Sequence, residues 1–134
     1  MKRFAIISSS LLLFSFSGTA IGCNFEWRLY GSTEISKIVE KKIGSVVTDE
    51  FCKKYSKTHK IVIITDTYFN NNGIIGNATT GLIKKSGNEV PNIRRSSNRT
   101  KNGSFTPGEA YELTAIAALD TVIDCMSAFT ECAN

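Results

Sequence analysis

Four cysteines, Cys23, Cys52, Cys125 and Cys132, set the strongest limits on what this chain can fold into. All four follow a stretch with the plan of a secretory leader. Met1-Lys2-Arg3 is a positive start. Phe4 to Phe16 is an uncharged run of apolar and serine residues, and Ser17 to Gly22 supplies small residues for cleavage. The apolar run is shorter than the ~20 residues a membrane-spanning helix needs. Residues 1–22 therefore read as a signal peptide, with cleavage before Cys23, and residues 23–134 as one small domain. An even cysteine count in an exported chain predicts two disulfides and a periplasmic or secreted location.

The segment Thr19-Ala20-Ile21-Gly22-Cys23 also resembles a bacterial lipobox, in which Cys23 is acylated and tethers the chain as a membrane-anchored lipoprotein. Ala20 stands where the usual leucine belongs, and lipidation leaves one thiol unpaired. The disulfide reading is the stronger of the two.

Composition narrows the function classes. Apolar residues make up 42% of the chain and charged residues 21%, a globular balance and not a disordered one. The single histidine, His59, excludes multi-histidine metal sites. No Cys-x-x-Cys occurs, so a thioredoxin-like motif or a cysteine-paired zinc site is not expected. No cofactor and no metal are expected. Of 16 basic residues, Lys2 and Arg3 fall in the leader, which leaves 14 against 12 acidic ones. That small surplus gives no support for nucleic-acid binding.

Periodicity supplies the elements. Asn24 to Gly31 is an aromatic lead-in holding Trp27, the only tryptophan. Ser32 can cap a helix in which Ile35, Ile38, Val39, Ile43, Val46, Val47, Phe51 and Tyr55 recur at steps of three and four. Gly44 weakens its middle, and a break near Gly44-Ser45 with Thr48 capping a second helix is the alternative. Lys60 to Phe69 reads as a strand, apolar on both faces at residues 61–64 and therefore central. A turn at Asn70 to Gly73 leads into a second strand from Ile74 to Lys85, weakened by Gly76 and Gly81. Glu89 to Ser96 is a third strand at best, demoted to an edge by Pro91, and Ser97 to Phe105 reads as a polar, basic loop. Thr106-Pro107-Gly108-Glu109 is a capping box that opens a mostly buried helix reaching about Phe129, with Ile116 and Ile123 expected in the core.

The expected fold class is α+β: a small antiparallel sheet of two to three strands packed against an N-terminal and a C-terminal helix, disulfide-stabilised. With three strands both helices run the same way, which brings Cys52 and Cys125 to one end. That favours Cys52–Cys125 and leaves Cys23–Cys132.

For function, the missing catalytic constellation and the disulfides point to a small exported interaction protein of the cell envelope. An inhibitor, an immunity-type protein or an accessory protein binding another protein fits the pattern, and no enzymatic activity is expected. The binding residues expected are Arg94, Arg95, Arg99 and Lys101, whose cations suit a partner protein with an acidic surface. The aromatic lead-in around Trp27 is the competing site. A membrane partner is expected only if Cys23 is lipidated. The enzymatic alternative is a secreted small hydrolase or nuclease using His59, paired with Glu109 or Glu112 and with Arg94. Asp120, inside an apolar run, needs a partner, and a basic residue from the sheet is expected to supply it.

Overall fold

The computed structural model describes residues 16–20, 23–87 and 90–133. The expected signal peptide lies outside the described residues except for 16–20. The alternation of Phe25, Trp27 and Leu29 with Asn24, Glu26 and Arg28 makes the aromatic lead-in a strand. The elements are β1 (Phe16–Ala20), β2 (Cys23–Tyr30), α1 (Thr33–Val46), α2 (Asp49–Lys54), β3 (His59–Asn70), β4 (Gly73–Lys84), β5 (Arg95–Asn102) and α3 (Pro107–Ser127). A single 3-10 turn, Phe129–Glu131, follows.

The protein is α+β, with a mixed sheet in the spatial order β1-β2-β3-β4-β5. The expected sheet of two or three antiparallel strands is therefore corrected in count and direction. β2 runs parallel to β3, with Trp27 beside Ile61, and α1 and α2 form the crossover between them. The other neighbours are antiparallel. β5 overturns the loop expected over residues 97–105. Its sequence, RSSNRTKN, has no apolar alternation to betray a strand, and its pairing with β4 supplies the ladder instead.

Both main helices cover one face of the sheet. The expected stripe of α1 is buried there through Ile35, Val39 and Ile43, continued by Val47 and Phe51. Ser32 caps α1, and Thr48 caps α2 by accepting from the Phe51 N–H, so the break falls at Val47 and not at Gly44. Opposite them lie Phe25, Trp27, Ile61, Ile63 and Leu82 from the sheet.

The capping box of α3 is complete. The Thr106 N–H donates to Glu109 Oε2 at 2.8 Å, and the Glu109 N–H donates to Thr106 Oγ1 at 3.2 Å. Where α3 meets the sheet most closely its buried residues are small, Ala110, Thr114, Ala117, Ala118 and Thr121, and the larger Leu119, Val122 and Met126 are buried farther along. A Cβ on Gly76 would stand 2.8 Å from the Thr114 Cα, so this glycine lets helix and sheet backbones meet. Hydroxyls are paired across that contact, half-buried Thr67 with buried Thr114 and buried Thr80 with buried Thr121, both at 2.6 Å. Ile116 and Ile123, expected in the core, point to solvent instead. Alanine and threonine fill the only space this close approach leaves.

On the helix-free face, the chain between β4 and β5 crosses the sheet. Pro91 is buried against Gly81, where a Cβ would come within 2.8 Å of the Ile93 carbonyl oxygen. Pro91 is thus a lid on β4 and not part of an edge strand. This cover explains why Val62 and Ile83 are buried on the side away from the helices.

The disulfides are Cys23–Cys52 and Cys125–Cys132, each with Cα atoms 5.5 Å apart. The expected Cys52–Cys125 and Cys23–Cys132 pairs are incorrect. Helix direction was read correctly: the N-terminal turns of α1 and α3 share a cavity lined by Glu34, Ile38, Thr106 and Tyr111. Their C-terminal ends therefore lie together, but so do the start of β2 and the chain end, which puts all four cysteines at one end. The 3-10 turn then brings Cys132 back to Cys125, and its carbonyl accepts from the Leu82 N–H at 2.8 Å. Cys23 is left beside α2. Its sulfur is used in the disulfide, so the acylated Cys23 of the lipoprotein alternative does not exist in this form.

Candidate binding surface

The cations of residues 94–101 were expected on a candidate edge strand (Arg94 and Arg95) and on the loop after it (Arg99 and Lys101). On strand β5 their spacing has a different consequence, because alternate residues share a face. Arg95, Arg99 and Lys101 all point toward the helix side, and each meets a carboxylate from the C-terminal part of the chain. Arg95 pairs with Glu131. Arg99 reaches Asp120 through Nε at 2.8 Å and Nη2 at 2.7 Å. Lys101 meets Glu109 at 3.2 Å. Asp120 has the sheet partner its sequence context called for. The three pairs form a half-exposed ladder that ties the edge strand to α3 and to the 3-10 turn after it, and they cancel most of the patch's charge. Arg94 lies just before β5, is exposed, and makes no ion pair among the described residues.

Glu109 serves both the helix cap and the ladder. The Thr106 N–H first, and Lys101 second, hold its carboxyl below the ordinary carboxylate range.

Trp27 is 1% exposed and belongs to the core on the helix side. Its place in the expected site is corrected: alternation along β2 turns Phe25 and Trp27 inward, leaving Tyr30 exposed at the strand's end.

His59 opens β3 at the disulfide end. Its ring stands edge-on to Phe129 at 5.2 Å and to Tyr55 at 6.3 Å, and those two rings stack. Thr58 Oγ1 lies 2.8 Å from Nδ1. Partial burial, then the charge of Lys84 across the ladder, pushes its pKa below the usual histidine value. The acid–base set imagined for it is not assembled. Glu109 meets Lys101, Lys101 is level with Ile74, and Ile74 is level with Phe69, ten residues from His59 along β3. At ~3.3 Å per residue the separation is roughly 33 Å. Glu112 is one turn further along α3 and does not close that gap. Among the described residues no group of three histidine, cysteine, aspartate or glutamate side chains could hold a metal ion.

A surface that sequence reasoning missed lies at the opposite end, around the β3–β4 hairpin. Asn71-Asn72 form its two-residue tip, with the Asn72 N–H donating to Asn70 Oδ1 at 2.8 Å. Below the tip, Tyr68 is 59% exposed, Phe69 69% and Ile75 45%. Tyr68 and Ile75 are cross-strand neighbours on the helix-free face, with Thr100 of β5 beside them. Together with Asn72 and Asn102 they line a shallow groove of about 380 Å³. Phe69 projects on the helix side and meets Phe105 edge-on at 5.9 Å. Asp66 accepts the Tyr68 hydroxyl hydrogen, and that bond, with the carboxylate's charge, raises the phenol's pKa. Apolar residues continuing past the covered part of the strand, in Thr-Tyr-Phe and Ile-Ile around the turn, were the signal available in sequence. Neither a protein-family model nor any curated protein matches the chain.

Proposed function

We propose that this is a small exported binding protein, released by cleavage before Cys23, and that it takes a protein partner at the β3–β4 hairpin. The observation that carries the reading is the exposed cross-strand pair Tyr68 and Ile75, which lines a groove on the helix-free face, with Phe69 exposed on the other face of the same hairpin. Scattered exposed apolar residues need no explanation, but a contiguous group beside polar groove walls is the usual mark of a contact site. The partner that fits presents an apolar side chain to the groove and polar groups to Asn72, Thr100 and Asn102. Two disulfides fit an oxidising compartment, which supports export. An acidic partner surface is secondary here, because the cations of β5 already face carboxylates; Arg94 is the contact left for it.

The test compares variants in affinity capture from the compartment that receives the protein. Tyr68→Ser with Ile75→Ser is expected to abolish capture of a partner that the wild type retains. Arg94→Ala with Arg95→Ala is expected to slow association and leave capture in place. Capture that survives the hairpin variant and is lost with the arginine variant would transfer the site to the basic edge.

A further inference from the structure

The two edges of the sheet are built differently. β5 carries two arginines and a lysine, the kind of charge that keeps an edge from pairing with another chain. β2 carries no lysine and no proline, alternates cleanly, and is pinned by the Cys23–Cys52 disulfide. In the full chain β1 covers that edge, with Phe16 level with Trp27 and Ala20 level with Cys23. On the reading that residues 1–22 are removed, β1 leaves with them and an eight-residue edge becomes free. β1 itself shows that this edge is sterically open to an antiparallel strand. α1 packs against β1, so a second copy pairing here brings its own α1 beside the first over the seam, on the helix side.

We infer that the processed protein pairs β2 with β2 of a second copy, antiparallel and centred on Trp27, to form one continuous sheet. This inference rests on the cleavage reading above. The residues about Trp27 complement themselves. In that register Glu26 faces Arg28 of the second copy, Arg28 faces its Glu26, and Phe25 faces its Leu29. Opposed residues of an antiparallel pair share a face. The two charge pairs therefore lie on the helix-free side, and the apolar pairs continue the core on the helix side. A strand paired with its own copy must be centred on a residue, because both members of each opposed pair need the same hydrogen-bonding phase. The adjacent registers, centred on Glu26 or on Arg28, set like charges directly opposite and are disfavoured. A two-fold axis through Trp27 closes the assembly at two chains.

The experiment uses the full chain expressed in an exporting host, with intact mass read first. A product that retains residues 1–22 overturns the cleavage reading, and this inference with it. A product that lacks them is expected to sediment at twice its chain mass. Glu26→Arg and Arg28→Glu are each expected to weaken that dimer by about tenfold or more, by placing like charges opposite. The double variant Glu26→Arg/Arg28→Glu is expected to restore it, and the melting temperatures of the single variants, expected near that of the parent, show that they fold. A processed chain that stays monomeric, a dimer indifferent to the single exchanges or not restored by the double one, or a foreign strand found on β2 overturns the pairing while leaving cleavage intact.

Discussion

Gly76 is the place where β4 and α3 come into backbone contact. Any Cβ there meets Thr114 at its N, Cα and Oγ1, between 2.6 and 2.9 Å, and only the hydroxyl can rotate away. Gly76→Ala is therefore expected to destabilise the protein by about 1–3 kcal/mol, as overpacking does, although alanine is ordinarily the better strand residue. Chemical denaturation of the two proteins measures it. His59 offers a residue-scale test of a different kind. The folded state holds its pKa below the unfolded value of 6.5. The unfolded chain thus takes up the proton first. The contribution to stability is complete above that value and is lost as pH falls from it through the lower folded-state pKa. Melting temperatures followed from about pH 7.5 to pH 5 are expected to decline, with His59→Gln declining less.

At the scale of elements, α3 divides into parts with separate consequences. Its capping box is local, so Thr106→Ala is expected to cost about 1 kcal/mol through the unsatisfied Glu109 N–H. Its buried face is the one that touches α1 and the sheet. Leu119→Ala is expected to cost about 2–5 kcal/mol, and Ile116→Ala and Ile123→Ala less than about 0.5 kcal/mol each, since the first is buried and the others face solvent. Denaturation midpoints of the three variants give the comparison directly. Equal losses at all three would mean that the solvent-facing isoleucines are covered in solution.

Over the whole molecule, the disulfides bind different lengths of chain. Cys23–Cys52 closes a separation of 29 residues and ties β2 across its crossover to α2. Cys125–Cys132 spans only 7 and fastens the chain end to α3. If the main effect is on the entropy of the unfolded chain, removing the first costs about 3–4 kcal/mol and the second about 2 kcal/mol. Replacing each pair with serines and measuring unfolding free energies tests the ranking.

The features legible in the sequence were those made by neighbours along the chain. The capping box at Thr106 and Glu109, the apolar stripe of α1, the Thr48 cap and the hairpin at residues 70–73 each depend on contacts three or four residues apart. Backbone geometry alone decides such contacts. β2 was nearly legible, since Phe25, Trp27 and Leu29 alternate, but its parallel partner could not be known before the crossover was. β5 was not legible, and of its cation pairs only the need of Asp120 for a basic partner from the sheet was. A wholly polar edge strand takes its identity from the register with β4, and only that register turns Arg95, Arg99 and Lys101 toward α3. The cysteine pairing was decided the same way. The sequence brought helix ends together, but four sulfurs at one end allow several pairings, and the turn after α3 chose among them. Interactions within one turn of chain are specified by order along it, whereas those between distant segments depend on which faces meet, and packing settles that only when the whole chain is folded.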